Sequence, residues 1–163
     1  IIRNSAVNGL TNLFPLNVGI GAKTEKQTLA VPLHQLGSGT FSAEVGERLN
    51  LEKARMYKAQ VFRLDDLVRA NRIPLPNFVK MDVEGYENSI LSSFDNDIFR
   101  KTDFLIEVGT PAAASELLEI SKIKDFSMYP QKISWKKANS VSDLPTSCRE
   151  GNVIISSNKN FIW

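Results

Sequence analysis

Asp82 and Glu84 are two carboxylates two residues apart, placed where the apolar-rich Phe78-Val79-Lys80-Met81 gives way to a helical pattern. If the chain stays extended through Glu84, both side chains leave the same face. A third carboxylate, Glu107, follows the apolar Phe104-Leu105-Ile106. Such groups can take a proton from a hydroxyl, bind a hard divalent cation such as Mg²⁺ or Ca²⁺, or hold a cationic ligand. Each also has a structural reading. Asp82 can cap the helix and Glu84 can complement its positive end, each worth about 0.5 to 1 kcal/mol. Glu107 can pair with Lys80 or Arg100, because a charge on an apolar strand needs a partner.

Other chemistries lack their residues. The segment from Asp82 to Glu87 does not have the alternating oxygen ligands of a calcium-binding EF-hand loop, and a single histidine and a single cysteine make a poor zinc site. No phosphate-binding Walker loop and no G-x-S-x-G elbow occurs. His34 titrates near neutral pH and is an alternative base, although its place before Gly37-Ser38-Gly39-Thr40 suits a surface side chain. Phe126, Tyr129 and Trp135 could stack on an acceptor or pack a late hairpin. Cys148 carries no signature of a reactive thiol.

The elements that must position the acidic groups follow from periodicity. Residues 1–9 read as the end of a helix with Asn8-Gly9 as its stop, and residues 13–20 and 27–33 as strands. Residues 34–53 read as a polar, mobile loop that becomes charged and helix-like. Residues 60–64 read as a strand, followed by a brief helix through Ala70 capped by Asp65. Strand 78–82, helix 84–93 and strand 104–108 then form a βαβ unit, which implies parallel pairing. Helix 112–123 and short strands 126–129, 132–135 and 153–156 complete the chain. This alternation predicts an α/β fold: an open, mostly parallel sheet closing with a C-terminal antiparallel hairpin. Ligands of such sheets lie beyond the carboxyl ends of the strands, so residues 19–22, 82–85 and 107–110 should face one crevice.

Composition narrows the classes further. The 163 residues are 42% hydrophobic and 23% charged, enough for one domain with a core. Twenty Lys and Arg against 18 Asp and Glu give a formal charge of +2, too even to favour nucleic acid or acidic lipid as a partner. No apolar run approaches the roughly 20 residues of a membrane span. One cysteine excludes an internal disulfide framework, so a reducing, cytoplasmic location fits. The chain opens on Ile1-Ile2-Arg3 without an initiator Met or a signal-peptide pattern, and a preceding portion is expected.

The stretches Val61-Phe62-Arg63-Leu64-Asp65-Asp66-Leu67, Phe78-Val79-Lys80-Met81-Asp82-Val83-Glu84-Gly85-Tyr86-Glu87 and Leu105-Ile106-Glu107-Val108 closely resemble the FkbM family of S-adenosylmethionine-dependent methyltransferases. Upstream, the segments 3–10 and 15–21 resemble a helix and strand of the same family, so that the likeness covers roughly residues 1–110. The resemblance implies a Rossmann-like class I methyltransferase sheet and S-adenosylmethionine as cofactor. It also implies O-methylation of a sugar, glycan or small metabolite. It assigns the catalytic positions to Asp82, Glu84 and Glu107, with Asp82 foremost, and the cofactor-binding positions to Ile20, Gly21, Ala22 and Asp82. Ala22 stands where relatives often carry an acidic residue beside the adenine. Ser38 and Thr40 resemble a hydroxyl-rich segment that could cover the site.

The Gly-rich turn after the family's first strand and the acidic ribose-binding residue after its second are not in this sequence. The expectation is therefore a single partial domain, residues 1–163, lacking the first βαβ portion. The alternative from another class is a non-catalytic α/β remnant or interaction module. A divalent cation held by the three carboxylates is a third reading.

Overall fold

A computed structural model describes residues 2–33, 39–41, 54–83 and 85–158. The order is α1 (Ile2–Val7), β1 (Gly19–Ile20), β2 (Glu25–Pro32), β3 (Ala54–Phe62), α2 (Leu64–Arg69), β4 (Phe78–Met81), α3 (Glu87–Ser93), α4 (Asn96–Phe99), β5 (Asp103–Glu107), α5 (Pro111–Lys124), β6 (Ser127–Pro130) and β7 (Asn152–Ser156). The α/β class is as expected, but the strands of the described residues form two mixed sheets instead of one mostly parallel sheet. One has the order β1-β3-β2 and the other β4-β5-β7-β6.

The second sheet holds the core. β4 and β5 run parallel, with Met81 opposite Ile106, while β7 is antiparallel to both β5 and β6. Phe104, Ile106, Val153 and Ile155 bury one face of this sheet against Ile90, Leu91 and Phe94 of the α3 segment and Leu117 of α5. Phe94, Phe104, Phe99 and Phe126 form a chain of ring contacts with centroids 5.0–5.3 Å apart. α5 begins at the Thr110 side chain, which accepts from the Ala113 N–H at 3.1 Å, with Pro111 fitting its first turn. It ends at Asp125, in the left-handed region at φ 53°, with Lys122 and Lys124 complementing the negative end of the helix.

The first sheet is chiefly a ribbon. β2 pairs antiparallel with β3 from Glu25↔Val61 to Pro32↔Ala54, and β1 adds a short parallel edge at Gly19↔Val61 and Ile20↔Phe62. Part of the ribbon stays exposed, including Met56 and Tyr57, while Ala30, Pro32 and Val61 are buried.

Several elements differ from the sequence reading. Only Gly19–Ile20 of the expected 13–20 strand is a strand, since Leu13, Phe14 and Leu16 lie exposed with no ladder to join. Residues 132–135 form no strand. A 3₁₀ turn, Gln131–Ile133, leads into Ser134 and Trp135, both in the left-handed region at φ 56° and 60°, a conformation that ends strand pairing. β6 therefore takes β7 as its antiparallel partner across a long connection. Most of the 34–53 loop lies outside the described residues. No helix among the described residues is long and apolar enough to cross a membrane.

Candidate functional site

Parallel pairing sets the carboxyl ends of β1 and β3 side by side, and likewise those of β4 and β5. The end of β4 and the ends of β1 and β3 meet around a cavity of about 230 Å³, lined by Ile20, Leu64, Val79, Lys80, Met81, Asp82, Val83, Ile90 and Phe94. Its walls are mostly apolar. Among the described residues, charge enters only through Lys80 and Asp82, which lie two apart in the chain. The Lys80 ammonium stands 3.4 Å from the Asp82 carboxylate and also donates to the Met81 carbonyl at 3.3 Å. The Asp82 side chain is 57% exposed, so this pair is a solvated one that leaves the carboxylate accessible.

The site residues expected from sequence are distributed as follows. Ile20 and Asp82 line the same cavity. Gly21 is buried beside Ile20 and donates its N–H to the Phe62 carbonyl at 3.0 Å. A Cβ at Gly21 would stand 2.6 Å from a Val61 methyl, so close approach to β3 is why a glycine fits there. Ala22 follows, half-buried. Glu107, half-buried at the end of β5, does not line the cavity. The β4–β5 register, continued one residue past Met81↔Ile106, places it alongside Asp82 at the rim. Among the described residues neither Lys80 nor Arg100 pairs with Glu107, and Lys80 is engaged by Asp82. Glu84, His34 and Ser38 lie outside the described residues.

Two expectations, for Thr40 and Asp65, are corrected. Thr40 is buried against β2, exchanging backbone hydrogen bonds with Ala30 at 3.0 Å, and does not line the cavity. Of the two readings of Phe126 and Tyr129, packing agrees with their 8% and 5% exposure. Asp65 is not the cap of its helix. That position is Arg63, and Asp65 is fully buried.

What Asp65 does instead bears on the cavity. Its Oδ2 accepts from Arg63 Nη2 at 3.1 Å and its Oδ1 from the Asp95 backbone N–H at 3.0 Å. Arg63 also donates to the Ser93 carbonyl at 2.5 Å, and Arg69 pairs with Asp95. This network fastens the corner after β3 to the end of α3. The chain neighbours of its members, Leu64 and Phe94, are cavity walls. Lys124 donates to the Phe94 carbonyl at 2.6 Å; burial pushes its ammonium below the usual lysine value, countered in part by Asp65. The sequence reading missed this network because its partners are about thirty residues apart. Among the described residues no group of three or more His, Cys, Asp or Glu is arranged to hold a metal ion.

Residues 3–134 match the family described as Methyltransferase FkbM domain. No curated protein and no solved structure matches the chain.

Proposed function

Because the chain belongs to the FkbM methyltransferase family, we propose that it transfers the methyl group of S-adenosylmethionine to a hydroxyl of a sugar, glycan or other small metabolite. The observation that carries this reading is the shared cavity of Ile20 and Asp82, an apolar wall and an accessible carboxylate at the carboxyl ends of parallel strands. An apolar cavity with one carboxylate and one ammonium at its mouth suits a ligand that has an aromatic base at one end and a charged amino acid at the other. Its volume of about 230 Å³ falls below the roughly 300 to 1,000 Å³ of most small-molecule sites. We therefore assign it part of the donor's cradle.

In this reading Ile20, Gly21 and Ala22 border the adenine, and Asp82 lies at the methionine end beside the acceptor. When bound, S-adenosylmethionine supplies a methyl group on a sulfonium centre open to in-line attack. Asp82 orients the acceptor hydroxyl and takes its proton as the oxygen becomes the nucleophile. Glu107, alongside Asp82 in the β4–β5 register, supplies further negative charge at the rim. Holding the hydroxyl in line contributes most of the acceleration, up to about 7 to 11 kcal/mol for well-oriented reactants. A positioned base adds about 10²- to 10⁴-fold. The test is methyl transfer by the intact protein and by Asp82→Asn across a panel of methyl glycosides. A fall of about 10² or more with unaltered thermal stability supports the reading. Equal rates remove Asp82 from the chemistry, and no transfer by the parent protein to any acceptor favours a non-catalytic module.

A further inference from the structure

Glu87 is a carboxylate only 8% exposed, at the first residue of α3, yet its charge faces no cation among the described residues. Its Oε1 accepts the Val83 N–H at 2.9 Å and its Oε2 accepts the Gly85 N–H at 3.0 Å. Both oxygens are thus spent on the backbone of the turn that follows Asp82. Gly85 sits at φ 94°, outside the range of most side-chain-bearing residues, and Tyr86, the residue before α3, offers no side-chain cap. Two charge-assisted hydrogen bonds from one buried carboxylate define such a turn far more tightly than neutral ones.

We propose that Glu87 is a positioning residue, which rests on Asp82 acting at the donor site as described above. By clamping the N–H groups on either side of position 84, it fixes where β4 ends and so where the Asp82 carboxylate stands relative to the cavity. It touches neither donor nor acceptor.

The experiment compares Glu87→Ala and Glu87→Gln with the parent in the intact protein. Amide hydrogen exchange is read at Val83 and Gly85, with Phe104 and Ile106 of β5 as internal reference. The affinity for S-adenosylhomocysteine is measured by calorimetry. In Glu87→Ala, exchange at Val83 and Gly85 rises about tenfold or more while the β5 amides keep their protection, and S-adenosylhomocysteine binds about tenfold more weakly. Glu87→Gln, which keeps one oxygen acceptor, recovers part of both and serves if the alanine variant fails to fold. Unchanged exchange at Val83 and Gly85, or a rise shared equally by β5, overturns the clamp. Faster local exchange with unchanged affinity overturns its link to the site. If Asp82→Asn leaves both binding and transfer untouched, the proposed site falls, while the exchange at Val83 and Gly85 still decides whether Glu87 holds the turn.

Discussion

Asp65 is the buried acid whose removal should reveal how the cavity walls are held together. It accepts two hydrogen bonds, from the Arg63 guanidinium at 3.1 Å and from the Asp95 N–H at 3.0 Å. In Asp65→Asn the amide oxygen can keep the bond from Asp95, but an NH₂ then faces the guanidinium. The loss of one hydrogen bond to a charged group costs about 1.5 to 3 kcal/mol. Asp65→Ala loses both bonds and leaves donors behind, which for a broken buried pair costs about 3 to 5 kcal/mol. Arg63 keeps the Ser93 carbonyl at 2.5 Å and some solvent exposure, which places the alanine value near the low end. With a urea slope of about 2 kcal/mol/M, a loss of about 3 kcal/mol lowers the midpoint by about 1.5 M. Urea unfolding followed by far-ultraviolet circular dichroism measures this. The order parent, Asn, Ala is expected, with weaker S-adenosylhomocysteine binding in the same order because Leu64 and Phe94 line the cavity. A midpoint shift under about 0.3 M for the alanine variant, or an asparagine variant less stable than alanine, refutes the reasoning.

Two further predictions concern other parts of the fold. Gly21→Ala sets a methyl 2.6 Å from Val61, which cannot move far inside β3. The overpacking should cost about 1 to 3 kcal/mol by thermal or urea unfolding, and parent-like stability would show that β1 shifts freely. At acid pH, Asp143 is held below the ordinary carboxylate range chiefly by the Asn139 N–H, with help from Ser140, and Glu150 chiefly by the Thr146 N–H. Groups with lowered folded values stabilise above their unfolded values and lose that contribution as pH falls through the folded ones. Asp143→Asn and Glu150→Gln should therefore flatten the acid limb of the stability profile and leave its shape at neutral pH unchanged, and an acid limb as steep as the parent's would contradict this.

The central βαβ unit was legible because its apolar residues recur with strong, short-range periods. Val79 and Met81 alternate on β4, Ile90 and Phe94 lie four apart at the end of α3, and Phe104 and Ile106 alternate on β5. The division into two sheets was not, since it depends on which strand edges meet, and nothing in Gly19–Ile20 or Glu25–Pro32 encodes that. Lys132 to Trp135 resembled a strand by residue type, but Ser134 and Trp135 adopt left-handed backbone that residue type does not signal. Ile20 and Asp82 line one cavity although β1 and β4 belong to different sheets, so the rule for a single parallel sheet does not account for their meeting. Two features needed coordinates. Glu87 reads as an ordinary acid in the first turn of a helix, and only the bonds from Val83 and Gly85 show that it turns back. Asp65 reads as a cap because it precedes a helical pattern, whereas one of its two partners, the Asp95 N–H, lies thirty residues along the chain.

The most direct measurement of the central claim is a titration of the intact protein with S-adenosylhomocysteine, followed residue by residue through amide chemical shifts. Saturable binding with the largest changes at Ile20, Gly21, Ala22, Asp82 and Val83, and little at Met56 and Tyr57 of the exposed ribbon, is the predicted result. No binding, or changes centred away from the ends of β1 and β4, would contradict it.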